Sequence, residues 1–410
     1  MWLRFGDESS IEFEQNLNFS NCNSKDGRKR DHHMNVNENK KPYVTIDIAK
    51  FVMAILVVAI HVRPFSGEAA FVYDDIVARV ADPLFFQITA FLFFEKVFRK
   101  DKDIRMSERG WYQRTLPWQK LGHYMKRILQ LYTAWFILYA PVVCYRTVQE
   151  LGITCNLQGM GRVVLSLLRK YWLSGYYGAM WFMTALLLAM PLTFLITKYL
   201  GPGICVLLSA PCFLLTVARM EYCSITDHWQ AMAYCDHAIY GVFGWYANGL
   251  TYGFFFCALG MWIAYKRSKT FDAAETEQMG IKNTDGWLPF LISFLLLIVE
   301  AHVIRDKNLG QSYGAMFFLI PTSYFLLKWL LSVEILNEKS KICTHLRRLS
   351  IMIFAIHYGI MELLQFGMEK YTMREWNTTV LYFVVLAVTI GCAELLLLLQ
   401  KKVKWLRVLY

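Results

Sequence analysis

Charged side chains are scarce in this sequence. Only 18% of its 410 residues are Asp, Glu, Lys or Arg, whereas 56% are hydrophobic. Soluble domains hold about 25% charged and 45–50% apolar residues, so a soluble multidomain protein is excluded. The apolar residues stand in blocks of about 20, long enough as helices to cross the roughly 30 Å hydrocarbon core of a bilayer. The sequence predicts an all-α, polytopic integral membrane protein.

The short motifs of many soluble enzymes are absent as well. There is no GxGxxG, Walker A or HExxH pattern, which excludes the nucleotide and metalloprotease sites that these motifs build. The ten cysteines are scattered, with no CxxC pair and no metal-ligand spacing, so we expect neither a metal site nor a disulfide framework. One bridge in an outer loop, Cys223 to Cys235, stays open as an alternative. We predict no permanently bound cofactor.

The chain divides into three regions by polarity. Residues 1–41 are polar and asparagine-rich, with a basic run at 28–30 and no apolar core, so we expect a disordered cytoplasmic tail. Met34 offers a second start for translation. Residues 42–400 form the predicted transmembrane domain, and residues 401–410 a short basic cytoplasmic tail.

Ten helical spans are predicted in the apolar region. When the connections are assigned alternately to two sides, one side holds 29 Lys and Arg residues and the other 11. Positive charge favours the cytoplasmic side, so both termini are expected there, in a plasma or inner membrane. The net charge of +11 is thereby explained by topology, and no nucleic-acid partner is expected. The spans are 44–62, 80–98, 128–147, 178–197, 203–218, 246–265, 287–304, 314–333, 349–366 and 379–400. Termini on the same side require an even number of spans, and because the fifth segment is short, eight spans are the alternative.

The first span carries the densest set of ionisable residues. Ionisable groups within a membrane are costly and usually face the bundle interior or a wet cavity. Lys50 and His61 are eleven residues apart, which places them on one helix face about 16 Å apart along the axis. Asp47 precedes Lys50 by three residues and can pair with it. The alternative is that the ion pair snorkels to the interface while His61 caps the helix end.

The spacing from Lys50 to His61 resembles the first helix of the integral membrane acyltransferase 3 family, in which a basic residue precedes a histidine by eleven positions. Further stretches resemble the family in the same order along nearly the whole chain from residue 42. They are 80–91, where Ala90 replaces the family's glycine; 124–132, where Gln130 replaces the second arginine of an RxxR pair; 178–183; and 349–357.

This resemblance implies transfer of an acyl group, commonly acetyl from acetyl-CoA, to hydroxyls of envelope saccharides or lipid-linked glycans. His61 then acts as the general base that removes the proton of the acceptor hydroxyl, since its pKa lies near neutrality. Lys50, paired with Asp47, positions the helix or the donor. Lys126 and Arg127 are the predicted CoA-binding residues, because CoA is polyanionic and Arg suits phosphate binding. Simple orientation by positive charge is the alternative for the nine basic residues of 99–127.

Three residues are predicted to bind the saccharide. Trp181 lies at an outer helix entrance and is either a stacking platform or a membrane-interface anchor. Glu300, with His302 beside it, lies near the outer end of the seventh span and either lines the acceptor site or belongs to the interface. His357 belongs to the segment that resembles the family, whereas Glu362, five residues further on, points elsewhere.

Two other classes of function were weighed against the enzyme. A carrier or flippase for a small polar molecule or glycan is the main alternative, although no inverted pair of broken helices is visible. A structural scaffold is disfavoured because it needs none of Asp47, Lys50 and His61. The predicted partners are therefore the lipid bilayer, an acyl-CoA and a saccharide acceptor.

Overall fold

The computed structural model describes residues 43–98, 116–152, 157–175, 178–274, 286–310, 312–333, 340–371 and 377–409, which are almost entirely helical and contain no β-strand. The helices are α1 Val44–Val62, α2 Gly67–Val72, α3 Ala81–Phe98, α4 Trp118–Leu151, α5 Leu157–Arg169, α6 Trp181–Tyr199, α7 Pro202–Met220, α8 Cys223–Thr226, α9 Gln230–Phe243, α10 Phe254–Ala274, α11 Trp287–Asp306, α12 Leu319–Ser332, α13 Ser340–Tyr371 and α14 Thr378–Leu399. The prediction of an all-α protein is confirmed for these residues.

A helix lies at each of the ten predicted spans. Eight helical stretches in the described residues are long and apolar enough to cross a membrane, and α10 and α12 are outside that set. One of the eight is continuous from Gly67 to Phe98, because the π-turn Tyr73–Val77 and the turn Ala78–Val80 join α2 to α3. The protein is therefore multi-pass, while the count of ten and the cytoplasmic termini stay predictions.

The centre of the bundle is built from α1, α3, α10 and α13. Helix α3 is buried on nearly every side, and it packs most extensively against α10, while α1 packs against α13. The outer helices α4, α7, α11 and α14 instead expose large apolar side chains, among them Ile137, Leu207, Leu295 and Leu395. A helix with an apolar exterior is stable in lipid, so these surfaces agree with a membrane location.

Local sequence explains several helix ends. Asn377 caps α14 by accepting a hydrogen bond from the backbone N–H of Thr379, at 2.8 Å. Asn248 caps the π-turn Gly249–Gly253 in the same way, through the N–H groups of Leu250 and Thr251. Because this turn occupies the start of the predicted sixth span, α10 begins at residue 254 and not at 246.

Some segments differ from the sequence-based expectations. Helices α5 and α9 lie in stretches that were expected to be connections between spans. Near the end of the chain, residues 404–409 form a 3₁₀ turn, and the Trp135 indole N–H donates to the Leu409 carbonyl at 3.1 Å, so this segment packs on α4. Cys223 and Cys235 are both free thiols, and the alternative of a bridge between them is wrong. Residues 1–41 lie outside the described residues.

Candidate active site

His61 and His357 meet near one end of α1. Their ring centroids lie 5.3 Å apart with an interplanar angle of 37°, and the Tyr358 ring contacts His61 edge-on at 5.2 Å. His357 is fully buried, and its Nδ1 lies 3.0 Å from the Ile353 carbonyl oxygen. A neutral imidazole that donates through Nδ1 keeps Nε2 as an acceptor. This Nε2 atom has no hydrogen-bond partner among the described residues.

A buried ionic cluster lies further along the same helix. Lys50 is 1% exposed, and its Nζ lies 3.5 Å from Oδ1 of Asp47. The second carboxylate oxygen of Asp47 lies 3.2 Å from Nη2 of Arg347 in α13. The predicted pairing of Asp47 with Lys50 is confirmed, and burial excludes the alternative in which Lys50 snorkels. Arg347 is the member of the cluster that the sequence did not reveal.

The connection between α1 and α3 adds charged groups to the histidine end. Asp75 accepts from Arg63 at 2.7 Å and lies 3.6 Å from Arg79, so one carboxylate joins the end of α1 to the start of α3. Arg79 is also close enough to His61 to act on it electrostatically. Sequence reasoning missed this group, although four acidic and two basic residues from 63 to 82 were a visible signal.

Helix α1 thus carries two separate polar sites. The histidine pair occupies one site, and the Asp47 cluster lies about 16 Å away along the helix axis, as the spacing requires. No group of three potential metal ligands occurs in the ranges that the structure describes. Two adjacent imidazoles with charged neighbours form a site that is suited to proton transfer.

Comparison with known families decides the class of the protein. The family model Acyl_transf_3, described as an acyltransferase domain, matches residues 43–398. The chain belongs to the acyltransferase 3 family. The resemblance inferred from the residues is therefore confirmed, and the chain is a multi-pass member of this family. No solved structure gives a significant match.

The curated relatives carry another name. Two proteins of Enterococcus faecalis, each named amino-acid racemase, are 23% identical over 363 residues and 22% identical over 225 residues. The first match covers 88% of this chain and 46% of the relative, and the second covers 54% and 28%. The chain spans about half the length of the first of these relatives and less of the second.

Glu300 has a clear set of partners in the structure. Its carboxylate accepts from the Tyr222 hydroxyl at 2.8 Å and from the backbone N–H groups of Phe317 and Phe318, both at 2.7 Å. Burial and the adjacent Glu300 charge raise the pKa of Tyr222, which keeps this hydroxyl protonated as a donor. Glu300 therefore holds the start of α12, and its substrate-binding role stays a prediction.

The remaining predicted site residues occupy different surroundings. Trp181 begins α6 and is half-buried, with its ring centroid 6.0 Å from those of Phe86 and Tyr252. Lys126 and Arg127 are exposed on α4, where a polyanion can reach them. The predicted roles of these three residues stay predictions. The other predicted basic residues of 99–114 lie outside the described residues.

Two neighbours of the predicted site have other partners. The ring of His302 packs edge-on against Phe71 at 5.1 Å, and its Nδ1 lies 2.8 Å from the Ile298 carbonyl oxygen. Glu362 forms an ion pair with Arg146 of α4 at 2.5 Å. Both observations favour structural roles for these two side chains.

Proposed function

We propose that this membrane acyltransferase moves an acyl group, acetyl in the first instance, from acyl-CoA to a hydroxyl of an envelope saccharide or lipid-linked glycan. The observation that carries the proposal is the contact between His61 and His357, whose rings lie 5.3 Å apart in a buried and charged setting. An alcohol becomes a good nucleophile only when its proton is removed, and an imidazole at the bundle centre is suited to remove it.

In this reaction, His61 alone carries the proton from the acceptor hydroxyl to the leaving thiolate. His61 takes the proton from the acceptor hydroxyl as the hydroxyl oxygen forms a bond to the thioester carbonyl carbon. The tetrahedral intermediate breaks its C–S bond, and the leaving CoA thiolate takes the proton back from the imidazolium. The products are an ester and free CoA, and no oxidant, reductant or metal enters the balance.

The other predicted residues bind and position the two substrates in this proposal. Lys126 and Arg127 attract the CoA phosphates through exposed positive charge. The cluster of Asp47, Lys50 and Arg347 carries one net positive charge and fixes α1 against α13. Trp181 offers an aromatic face to the saccharide.

The name of the curated relatives does not change the proposal. The matched part is less than half of each relative, while the acyltransferase family model covers residues 43–398 of this chain. We therefore assign no racemase activity to this chain. A carrier is the competing function that the experiment must separate from acyl transfer.

The decisive experiment follows a radiolabel from acetyl-CoA into saccharides. Membranes containing wild type, His61→Ala or His345→Ala are incubated with labelled acetyl-CoA and their native acceptor pool. His345 is the matched control, since it lies on α13 with an exposed ion pair to Glu394. We expect label in the saccharide fraction for wild type and His345→Ala, and a loss of about 10²- to 10⁴-fold for His61→Ala. Label that does not depend on His61, or uptake of a solute without any label transfer, contradicts the proposal.

A further inference from the structure

Asp74 is a buried carboxylate without a hydrogen-bond partner. It lies in the π-turn Tyr73–Val77, a kind of helix distortion that is frequent at functional sites. Its side chain is 1% exposed, and neither Oδ1 nor Oδ2 has a hydrogen-bond partner among the described residues. Burial strips a carboxylate of its water, which is costly unless other groups bond to it. Such a residue needs a partner beyond those that the described residues supply.

Other buried carboxylates in the described ranges are satisfied. Asp75 binds Arg63, Glu300 accepts three hydrogen bonds, and Glu221 accepts from the Ser312 hydroxyl at 2.7 Å and from two backbone N–H groups. Asp47 and Glu95 also have partners. The bundle thus supplies donors to buried carboxylates wherever they stabilise the fold. Asp74 is the exception within the part of the chain that the structure describes.

Asp74 belongs to the histidine end of the bundle. The neighbouring Asp75 binds Arg63, two residues beyond His61, at 2.7 Å and lies 3.6 Å from Arg79, so the turn that carries Asp74 packs at this end of α1. Two further buried polar atoms here, Nε of Arg79 and Nε2 of His357, also have no partner in the described residues. Unsatisfied polar atoms therefore gather around the proposed general base.

The chemistry of these atoms limits the ligand. An ionised carboxylate only accepts hydrogen bonds, and so does Nε2 of His357 when Nδ1 donates to Ile353. A ligand must therefore bring donors. The two nearby arginines disfavour a cationic ligand, which leaves hydroxyl groups as the neutral donors. A saccharide carries several hydroxyls at fixed positions on one ring.

We propose that Asp74 is an acceptor-binding residue whose carboxylate accepts hydrogen bonds from saccharide hydroxyls adjacent to the one that His61 deprotonates. This inference rests on the proposed function, since it names the residue that orients the saccharide of that reaction.

The first test compares thermal stability. The Asp74→Asn substitution removes the buried charge, so the Tm of the purified variant should rise above that of wild type. The matched control is Asp75→Asn in the same turn, which loses the 2.7 Å ion pair with Arg63 and should lower Tm. A lower Tm for Asp74→Asn means that the fold itself satisfies the carboxylate, which overturns the proposal. If Asp74→Asn does not reach the membrane, Asp74→Ser takes its place.

The second test measures KM for the acceptor sugar. Glucose, galactose, mannose, rhamnose and N-acetylglucosamine are offered as probes with saturating labelled acetyl-CoA, and the best acceptor is titrated. We expect Asp74→Asn to raise KM for that sugar about ten- to hundred-fold, with KM for acetyl-CoA unchanged and Asp74→Glu partly restoring the wild-type value. A raised Tm with an unchanged sugar KM means that ordered water alone satisfies Asp74, and overturns the proposal.

A failure of the proposed function gives a different pattern. If wild type transfers no label, the acyl-transfer proposal fails, and the same sugars are tested as stabilising ligands by their effect on Tm. A sugar that raises the Tm of wild type but not that of Asp74→Asn still supports a saccharide site at Asp74. Equal shifts, or none in either protein, overturn that site.

Discussion

The imidazole rings of His61 and His357 lie 5.3 Å apart, although one belongs to α1 and the other to α13. The packing of α1 against α13 creates this contact, and the Asp47–Arg347 ion pair of 3.2 Å fixes the same two helices at a second level. Residues of a helix near the end of the chain thus surround a histidine on the first helix. The reactive site depends on this one helix pair.

We predict that His357→Leu lowers kcat about tenfold while leaving thermal stability equal or higher. Leucine fills a similar volume, and it removes a buried Nε2 atom that has no partner in the described residues. The loss in rate reflects one neutral hydrogen bond to substrate or to His61. Steady-state kinetics and a melting curve of the purified protein check both parts. An unchanged kcat would show that His357 serves only packing.

We predict that Asp47→Asn costs about 3–5 kcal/mol of unfolding free energy, because it removes the buried carboxylate that pairs with both Lys50 and Arg347. Lys50→Met should cost less, since Asp47 keeps Arg347. The control is Glu394→Gln, which breaks only an exposed pair with His345 and should cost about 0–1 kcal/mol. Denaturant titration in micelles measures all three. Equal losses for Asp47→Asn and Glu394→Gln would contradict a buried ionic cluster.

The features that could be predicted from the sequence are those that the geometry of a single helix controls. Apolar blocks predict helices at all ten positions, and the three-residue spacing of Asp47 and Lys50 predicts their pairing because one helical turn brings such residues together. The family could also be recognised, since the interval from Lys50 to His61 lies within one helix. Each of these features is settled by fewer than 25 consecutive residues.

Contacts between distant helices could not be predicted in this way. Arg347 pairs with Asp47, and Arg79 approaches His61, only because helix packing selects these partners among many similar residues. Glu300 was predicted at a substrate site, yet its carboxylate binds Tyr222 and two backbone N–H groups at the start of α12. A single sequence shows that an acidic residue is present in a span, but it does not show which donors surround it.

We predict that Glu300→Ala lowers stability more than it changes substrate binding. The substitution leaves the Tyr222 hydroxyl and two backbone N–H groups without their acceptor, and each unsatisfied buried group costs about 1–3 kcal/mol. Tm should fall markedly, whereas KM for the acceptor of the remaining folded protein should stay near the wild-type value. A normal Tm with a raised acceptor KM would instead place Glu300 in the substrate site.

We predict that Gly260→Ala prevents assembly of the bundle centre, where α10 packs against α3. A β-carbon at residue 260 would lie 2.1 Å from the backbone carbonyl oxygen of Gln87, which cannot rotate away as a side chain would. The two central helices must separate, and overpacking of this kind costs about 1–3 kcal/mol or more.

The matched substitution is Gly391→Ala in α14, where an added β-carbon meets no atom within 4 Å. Alanine favours a helix over glycine by about 1 kcal/mol, so this variant should be as stable as wild type or more stable. Size-exclusion chromatography of detergent extracts measures the folded fraction of both variants. A full yield of folded Gly260→Ala would contradict the close approach of α3 and α10, and with it the packing that supports α1 and the histidine pair.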